Sequence, residues 1–404
     1  MAMGSRDRQG KQESLWIART ELPRTVAHPF YEQVDRLLEK HEFDRFAEGE
    51  CARYYAARMG RPSLAPGVYF RLLLIGYFEG IDSERGIAWR AADSLALRDF
   101  LRVGLDEMPP DHSTISRTRR LIAVETNEAV FGWVLRQLAE AGLLKGTTIG
   151  VDATTLEANA ALRSIVRRDT GEGYQEFLVR LAQESGIRTP TREQLARLDR
   201  KRAHKGSNQD WVNPHDPDAR ITKMKDGRTH LAHKAEHAVD LETGAVVAVT
   251  LAAADEGDPE TLQKTVPQAG VNIAETAGAM ARVELAGPRN VVGDKGYHSN
   301  EALTTLKDWE VRSYISEPER GRRRWKDNFE AQQAVYGNRR RITDEHGKRL
   351  LRRRGELVER SFAHCYDTGG MRRTHLRGHP SSLQWNIAGS TISDGPMHTL
   401  AQKS

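Results

Sequence analysis

The stretch Asn290-Val-Val-Gly-Asp294-Lys-Gly-Tyr-His-Ser299 constrains this chain more than any other. Asn290 to Gly293 reads as a short buried strand, too short for a helix and closed by turn formers. It delivers a carboxylate, Asp294, at its C-terminal end. Gly296 turns the chain, and Ser299 stands where an N-cap belongs for a helix through Ala302, Leu303 and Leu306. A carboxylate at a strand end, just ahead of a helix, lies where open α/β sheets bind their ligands. A turn aspartate making only local hydrogen bonds fits the same residues, so the rest of the chain has to decide.

The neighbouring segments repeat the texture. Thr147 to Asp152 is short and β-branched, a strand ending in a second carboxylate, although Asp152 could instead cap the next segment. His230 to Asp240 and Gly244 to Ala252 alternate as two strands joined by the turn Leu241-Glu-Thr-Gly244. Asp258-Pro259 opens a helix, with Pro259 at its first position. Val311 to Ile315 is the last strand. The order strand, insertion, strand, strand, helix, strand, helix, strand predicts an α/β layer with a mixed sheet. Asp294 then follows a helical crossover and can lie beside the first strand, parallel to it. A third acid, Glu359, sits on a helix expected to begin near Leu350. It lies off the stripe of Leu357, Val358 and Phe362 and beside Arg360.

Residues 1–15 read as disordered, and 16–144 as a helical domain. Pro66 to Phe78 is almost wholly apolar and is expected at that domain's buried centre. Pro109-Pro-Asp-His-Ser-Thr-Ile-Ser-Arg117 opens a capped helix presenting Arg117, Arg119 and Arg120 near its start, which suits either a DNA-reading helix or an ordinary bundle helix. Residues 145–390 read as the α/β domain, with insertions at about 161–228 and 317–349 and a further helix near Leu383 to Ile387. Residues 391–404 form a tail.

Charge is distributed unevenly. Glu317 to Arg360 holds 14 Lys and Arg against 8 Asp and Glu, with runs Arg322-Arg323-Arg324, Arg339-Arg340-Arg341 and Arg352-Arg353-Arg354. Clustered guanidinium groups suit phosphate, while a salt-bridged solvated helix face fits the same mixture. The two cysteines, Cys51 and Cys365, exclude a disulfide framework and suit a reducing cytosol. No apolar run at the N-terminus resembles a signal peptide, and the most apolar stretch, Val68 to Phe78, contains Arg71 and is too short to span a bilayer. His204, His215, His230, His233 and His237 fit no tetrahedral metal spacing and read as surface or strand histidines.

Three converging acids, Asp152, Asp294 and Glu359, cannot all ionise cheaply without a cation. A pair of Mg²⁺ ions about 4 Å apart would neutralise them, with water and phosphate oxygens completing the shells. Val151-Asp152-Ala-Thr-Thr, Asp294-Lys295-Gly296-Tyr297 and Val358-Glu359-Arg360-Ser361-Phe362, in that order, resemble the DDE transposases of bacterial insertion sequences. The N-terminal segments Tyr69-Phe-Arg-Leu72 and Pro110 to Arg117 resemble that family's helical domain.

The resemblance implies that 16–144 is a DNA-binding domain and 145–390 a catalytic domain, with a ribonuclease H-like core and Asp152, Asp294 and Glu359 as metal-binding triad. It implies Mg²⁺-dependent cutting of double-stranded DNA at the element's terminal inverted repeats and transfer of the freed 3′-hydroxyl to target DNA. It also implies a homodimer in the DNA complex and a cytoplasmic, nucleoid-associated setting. Lys295, Arg360 and the arginine clusters would hold phosphates. The family pattern Tyr-x-x-Arg-x-x-x-Glu is altered here. Arg354 stands five residues before Glu359, Leu351 falls near the tyrosine's place, and Tyr366 takes a lysine's. Glu356, with Arg352 correctly spaced before it, is the alternative third acid. A nuclease that cuts without joining, and a catalytically silent DNA-binding descendant, are the alternative functions.

Overall fold

The computed structural model describes residues 29–56, 63–202, 205–224, 226–279, 287–319, 328–368, 370–374 and 376–378, with Gly321, Arg323, Trp325 and Leu383. Residues 1–15 and nearly all of the expected Leu383 to Ile387 helix lie outside these.

The first part is helical throughout: α1 Pro29–Lys40, α2 Phe43–Cys51, α3 Pro66–Phe78, α4 Glu84–Asp93, α5 Leu95–Phe100, α6 His112–Leu121 and α7 Val124–Glu140. The all-round apolarity of α3 places it at the centre, with Leu72 and Ile75 fully buried. Arg71 on the same helix is also buried. Its guanidinium bonds Asp35 of α1 at 2.6 Å, Asp44 of α2 at 3.2 Å and the Phe100 carbonyl at 3.0 Å, so one side chain ties α1, α2 and α5 to the central helix. Asp111 caps α6, accepting from the backbone N–H groups of Ser113 and Thr114.

The second part is built on a mixed sheet. Its elements are β1 Thr148–Glu157, β2 Val166–Arg167, α8 Tyr174–Glu184, α9 Arg192–Lys201, β3 Trp211–Val212, β4 Arg220–Lys223, β5 Thr229–Asp240 and β6 Val246–Ala253. They continue as α10 Asp258–Ala279, β7 Asn290–Gly293, α11 Asn300–Asp308, β8 Arg312–Ile315, α12 Phe329–Thr343 and α13 Glu345–Ala363. Central β1 pairs antiparallel with β5 on one side and parallel with β7 on the other; β7 pairs parallel with β8. The far edge of β5 is shared end to end by β4 and β6. This is the expected ribonuclease H-like α/β architecture. Apolar side chains of both parts form one continuous core, with α7 against α10.

The fold departs from the local sequence patterns in four places. β1 does not end at Asp152. It runs on to Glu157, because β5 keeps pairing with it down to Ala232 while β7 stops at Gly150. The segment after β1 does not simply lie across the core. It buries Ala158, Ile165, Phe177, Leu178 and Trp211 in a cluster of its own and sends β4 into the main sheet. The segment 317–349 contains α12 and the first turn of α13, and α12 packs on α11 and covers the free edge of β8. There Asn338 accepts from the Ile315 N–H and donates to the Ile315 carbonyl, standing in for a further strand. Finally, α13 begins at Glu345, one turn ahead of Leu350, because Asp344 caps it through the Gly347 N–H.

Candidate active site

The register of β1 on β7 runs Thr148↔Asn290, Ile149↔Val291 and Gly150↔Val292. Asp152 and Asp294 each lie two residues beyond the last pair, so the same offset sets them side by side on strands about 4.8 Å apart. Asp294 is held by its own turn, its Oδ1 accepting from the Gly296 N–H at 2.8 Å.

α13 crosses the face of β1 that carries Asp152. Gly150 permits this approach: a Cβ there would stand 2.6 Å from Leu241, 3.0 Å from Val358 and 3.1 Å from Arg354. The contact brings the Arg354 guanidinium to Asp152 Oδ2 at 2.9 Å and the Val151 carbonyl at 3.4 Å. Burial lifts the Asp152 carboxyl above its ordinary range; Arg354 and the Ala153 N–H oppose this, and the Asp294 charge adds to it. Opposite Asp152 on β5 is His237, whose Nδ1 lies 3.0 Å from Ser361 Oγ and whose ring lies against Phe362 of α13. Burial holds this imidazole down at about 3.

One open cavity of about 870 Å³ is lined by Asp152, Asp258, Asp294, Arg354 and Glu359 among others. All three sequence-predicted acids therefore face a common space, two from strands and one from a helix. Glu356 does not line it; it is exposed and pairs with Arg360 at 3.4 Å. Among the described residues no three His, Cys, Asp or Glu side chains stand close enough as placed to hold a metal ion, and the histidines form no such group. The donor set is nonetheless all carboxylate, the chemistry of a hard divalent cation that takes one or two acids and completes its shell with water and phosphate. Arg354 is the positive charge that Asp152 meets here.

The arginines expected on DNA fall into separate places. Arg117 and Arg120 are exposed on α6, whereas Arg119 is paired with Glu84 of α4 at 2.8 Å. Lys295 is exposed in the Asp294 turn. Arg323 and Arg339 both bond Glu317, and Arg341 donates to the Ser313 carbonyl and hydroxyl. Arg340 and Arg352 are exposed; Arg353, also exposed, donates to the Glu242 carbonyl. Arg322 and Arg324 lie outside the described residues.

Sequence reasoning misses the residues that surround the acids. Asp258, expected as a helix cap but standing as the first residue of α10, also lines the cavity and is gripped by Lys234 of β5. Glu236, two residues beyond Lys234, is buried and accepts from the hydroxyls of Tyr297 and Thr261, both at 2.7 Å. The available signal is a pair of opposite charges two residues apart, Lys234-Ala-Glu236, in a segment that reads as a strand.

A ribonuclease H-like sheet with carboxylates just past the paired stretch of two neighbouring parallel strands is the arrangement of proteins that transfer phosphoryl groups of nucleic acids. The profile of the family described as Transposase DDE domain matches residues 165–390, and that described as Transposase domain (DUF772) matches residues 21–121. The chain belongs to the DDE transposases. The DDE match begins after Asp152. No curated protein and no solved structure matched the chain. Among the described residues no helix is long and apolar enough to cross a membrane.

Proposed function

We propose that this transposase cuts DNA at the ends of its mobile element and joins the freed 3′-hydroxyl to target DNA, with Asp152, Asp294 and Glu359 as its acidic triad. The observation that carries the reading is the equivalent placement of Asp152 and Asp294 on neighbouring parallel strands, with Glu359 lining the same cavity from α13. Asp152 supplies carboxylate oxygens from within β1, Asp294 from the turn that follows β7, and Glu359 from the helix. Magnesium bound there, as two ions, would polarise phosphorus and lower the pKa of an attacking water or hydroxyl. Arg354 neutralises Asp152 in the free protein, and it would be free to meet a DNA phosphate once a cation held that carboxylate. Lys295 and the exposed Arg352 and Arg360 position the strand. The family resemblance makes a homodimer on DNA, one protomer at each element end, the working assembly.

The test is cleavage of labelled DNA carrying the element's ends, with Mg²⁺ or EDTA, by wild type, Glu359→Gln and Glu356→Gln. Mg²⁺-dependent cutting lost only in the Glu359 variant is expected, with DNA binding retained. Loss only in the Glu356 variant moves the third acid one helical turn. Binding without cutting by wild type removes the catalytic reading in favour of a silent DNA-binding protein.

A further inference from the structure

Two charged residues of β5, Lys234 and Glu236, are buried on the face opposite His237. Apolar side chains of similar volume would often serve stability as well or better, so this pair needs an account. Both residues lead to the turn that carries Asp294. Lys234 donates to the Glu256 carbonyl at 3.0 Å and to Asp258. The Asp258 carboxylate in turn closes one side of Gly296: a Cβ at that glycine would collide with Asp258 Oδ2 and stand 3.0 Å from Asp294 Oδ1. Glu236 holds the other end of the turn through the Tyr297 hydroxyl. Tyr297 itself packs under Gly293, its ring 3.2 Å from where a Cβ would stand.

The Tyr297–Glu236 bond is long-range in the sheet. Tyr297 follows β7, whereas Glu236 lies on β5, with β1 between them. The β1 residue opposite Glu236 is Ala153, the immediate neighbour of Asp152, and its small side chain leaves room on that face. The bond therefore crosses β1, the strand that bears Asp152, from the turn that bears Asp294. A hydroxyl–carboxylate bond has a fixed length and direction, which an apolar contact lacks.

We propose that Glu236 and Tyr297 are positioning residues: they set the distance of the Asp294 carboxylate from Asp152, and with it the affinity of the site for a divalent cation. The inference rests on the metal reading under Proposed function. Glu236 touches neither DNA nor a reacting atom; it acts through Tyr297 and the turn.

The test is Mn²⁺ binding by the full chain without DNA, followed by calorimetry and by the spin-resonance signal of free Mn²⁺, below the unfolding temperature of each variant. Tyr297→Phe removes one oxygen, and Glu236→Leu removes the acceptor. Each is expected to weaken Mn²⁺ binding about tenfold, the lower end of the effect of disturbing groups that orient metal ligands. Glu236→Gln keeps an oxygen for both hydroxyls and is expected to stay near wild type. If Glu236→Leu fails to fold, Tyr297→Phe carries the test alone. Wild-type binding matched by Tyr297→Phe, even with a lower Tm, overturns the positioning role and leaves the metal reading standing. A wild-type chain that takes up no Mn²⁺ overturns both.

Discussion

At the scale of single residues the site is held by short contacts that leave little room for change. Gly296 shows this most directly, because its missing side chain is the space between the Asp258 and Asp294 carboxylates. Gly296→Ala must displace Asp258 from Lys234 or move the turn, so a fall in DNA cleavage with DNA binding kept is expected. Adding Asp258→Ala clears the collision. The double variant should then recover part of the loss, with a coupling of about 0.5–3 kcal/mol in transition-state terms, the range for residues in direct contact. Strict additivity in single-turnover cleavage assays would show that the two positions do not meet. Arg354 is a second such residue. Its sequence neighbours suggest a DNA contact, yet its guanidinium stands on Asp152, whereas Arg352 and Arg353, two and one residues earlier, face outward.

At the scale of elements the decisive contact is α13 on β1 and β5, since it brings the helix acid over the strand acids. His237 lies in the middle of that contact, between Ser361 and Phe362. Burial lowers its pKa from 6.5 to about 3, so the folded chain binds fewer protons than the unfolded chain between those values. Stability therefore rises with pH through that window, is complete above 6.5, and is lost as pH falls. The slope from this one group approaches about 1.4 kcal/mol per pH unit. His237→Phe keeps a ring against Phe362, and Ser361 retains its bond to the Val358 carbonyl. Urea unfolding at a series of pH values should show a shallower acid limb for this variant; an unchanged limb would place the titration elsewhere.

At the scale of the whole molecule, the exposed arginines expected on DNA fall, among the described residues, on α6 of the helical part and on α12 and α13. Arg117 and Arg120 project from α6, and Arg340, Arg352 and Arg360 are exposed on the later helices. Phosphate contacts release counterions, so the logarithm of DNA affinity should fall steeply with the logarithm of salt. Replacing Arg117 and Arg120 together by Ala is expected to flatten the slope by about 0.9 for each phosphate these side chains neutralise in the wild type. Electrophoretic or anisotropy titrations from low to moderate salt measure this. An unchanged slope would remove α6 from the DNA-contacting surface.

Local chemistry already determined much of this protein. Strand β7 and its bounds, the Ser299 cap, the α3 helix and the β5–β6 hairpin arise from patterns that are complete within a few residues. So does the delivery of Asp294 at a strand end. The parallel crossover that sets β7 beside β1 was legible too, because strand–helix–strand order restricts how a sheet can be wound. The features left open in the sequence depended on partners far away along the chain. β1 continues past Asp152 only because β5 is there to pair with it, and β4 exists as a strand only at the free edge of β5. Asn338 completes the hydrogen bonds of β8 from a segment that reads as a charged insertion. The burial of Lys234 and Glu236 is invisible in a strand's own alternation, since charge at those positions acquires meaning only when Asp258 and Tyr297 arrive opposite it. Periodicity records which side of an element avoids water, whereas the choice of partner for a buried polar group is made by tertiary packing, where each donor and acceptor must be met.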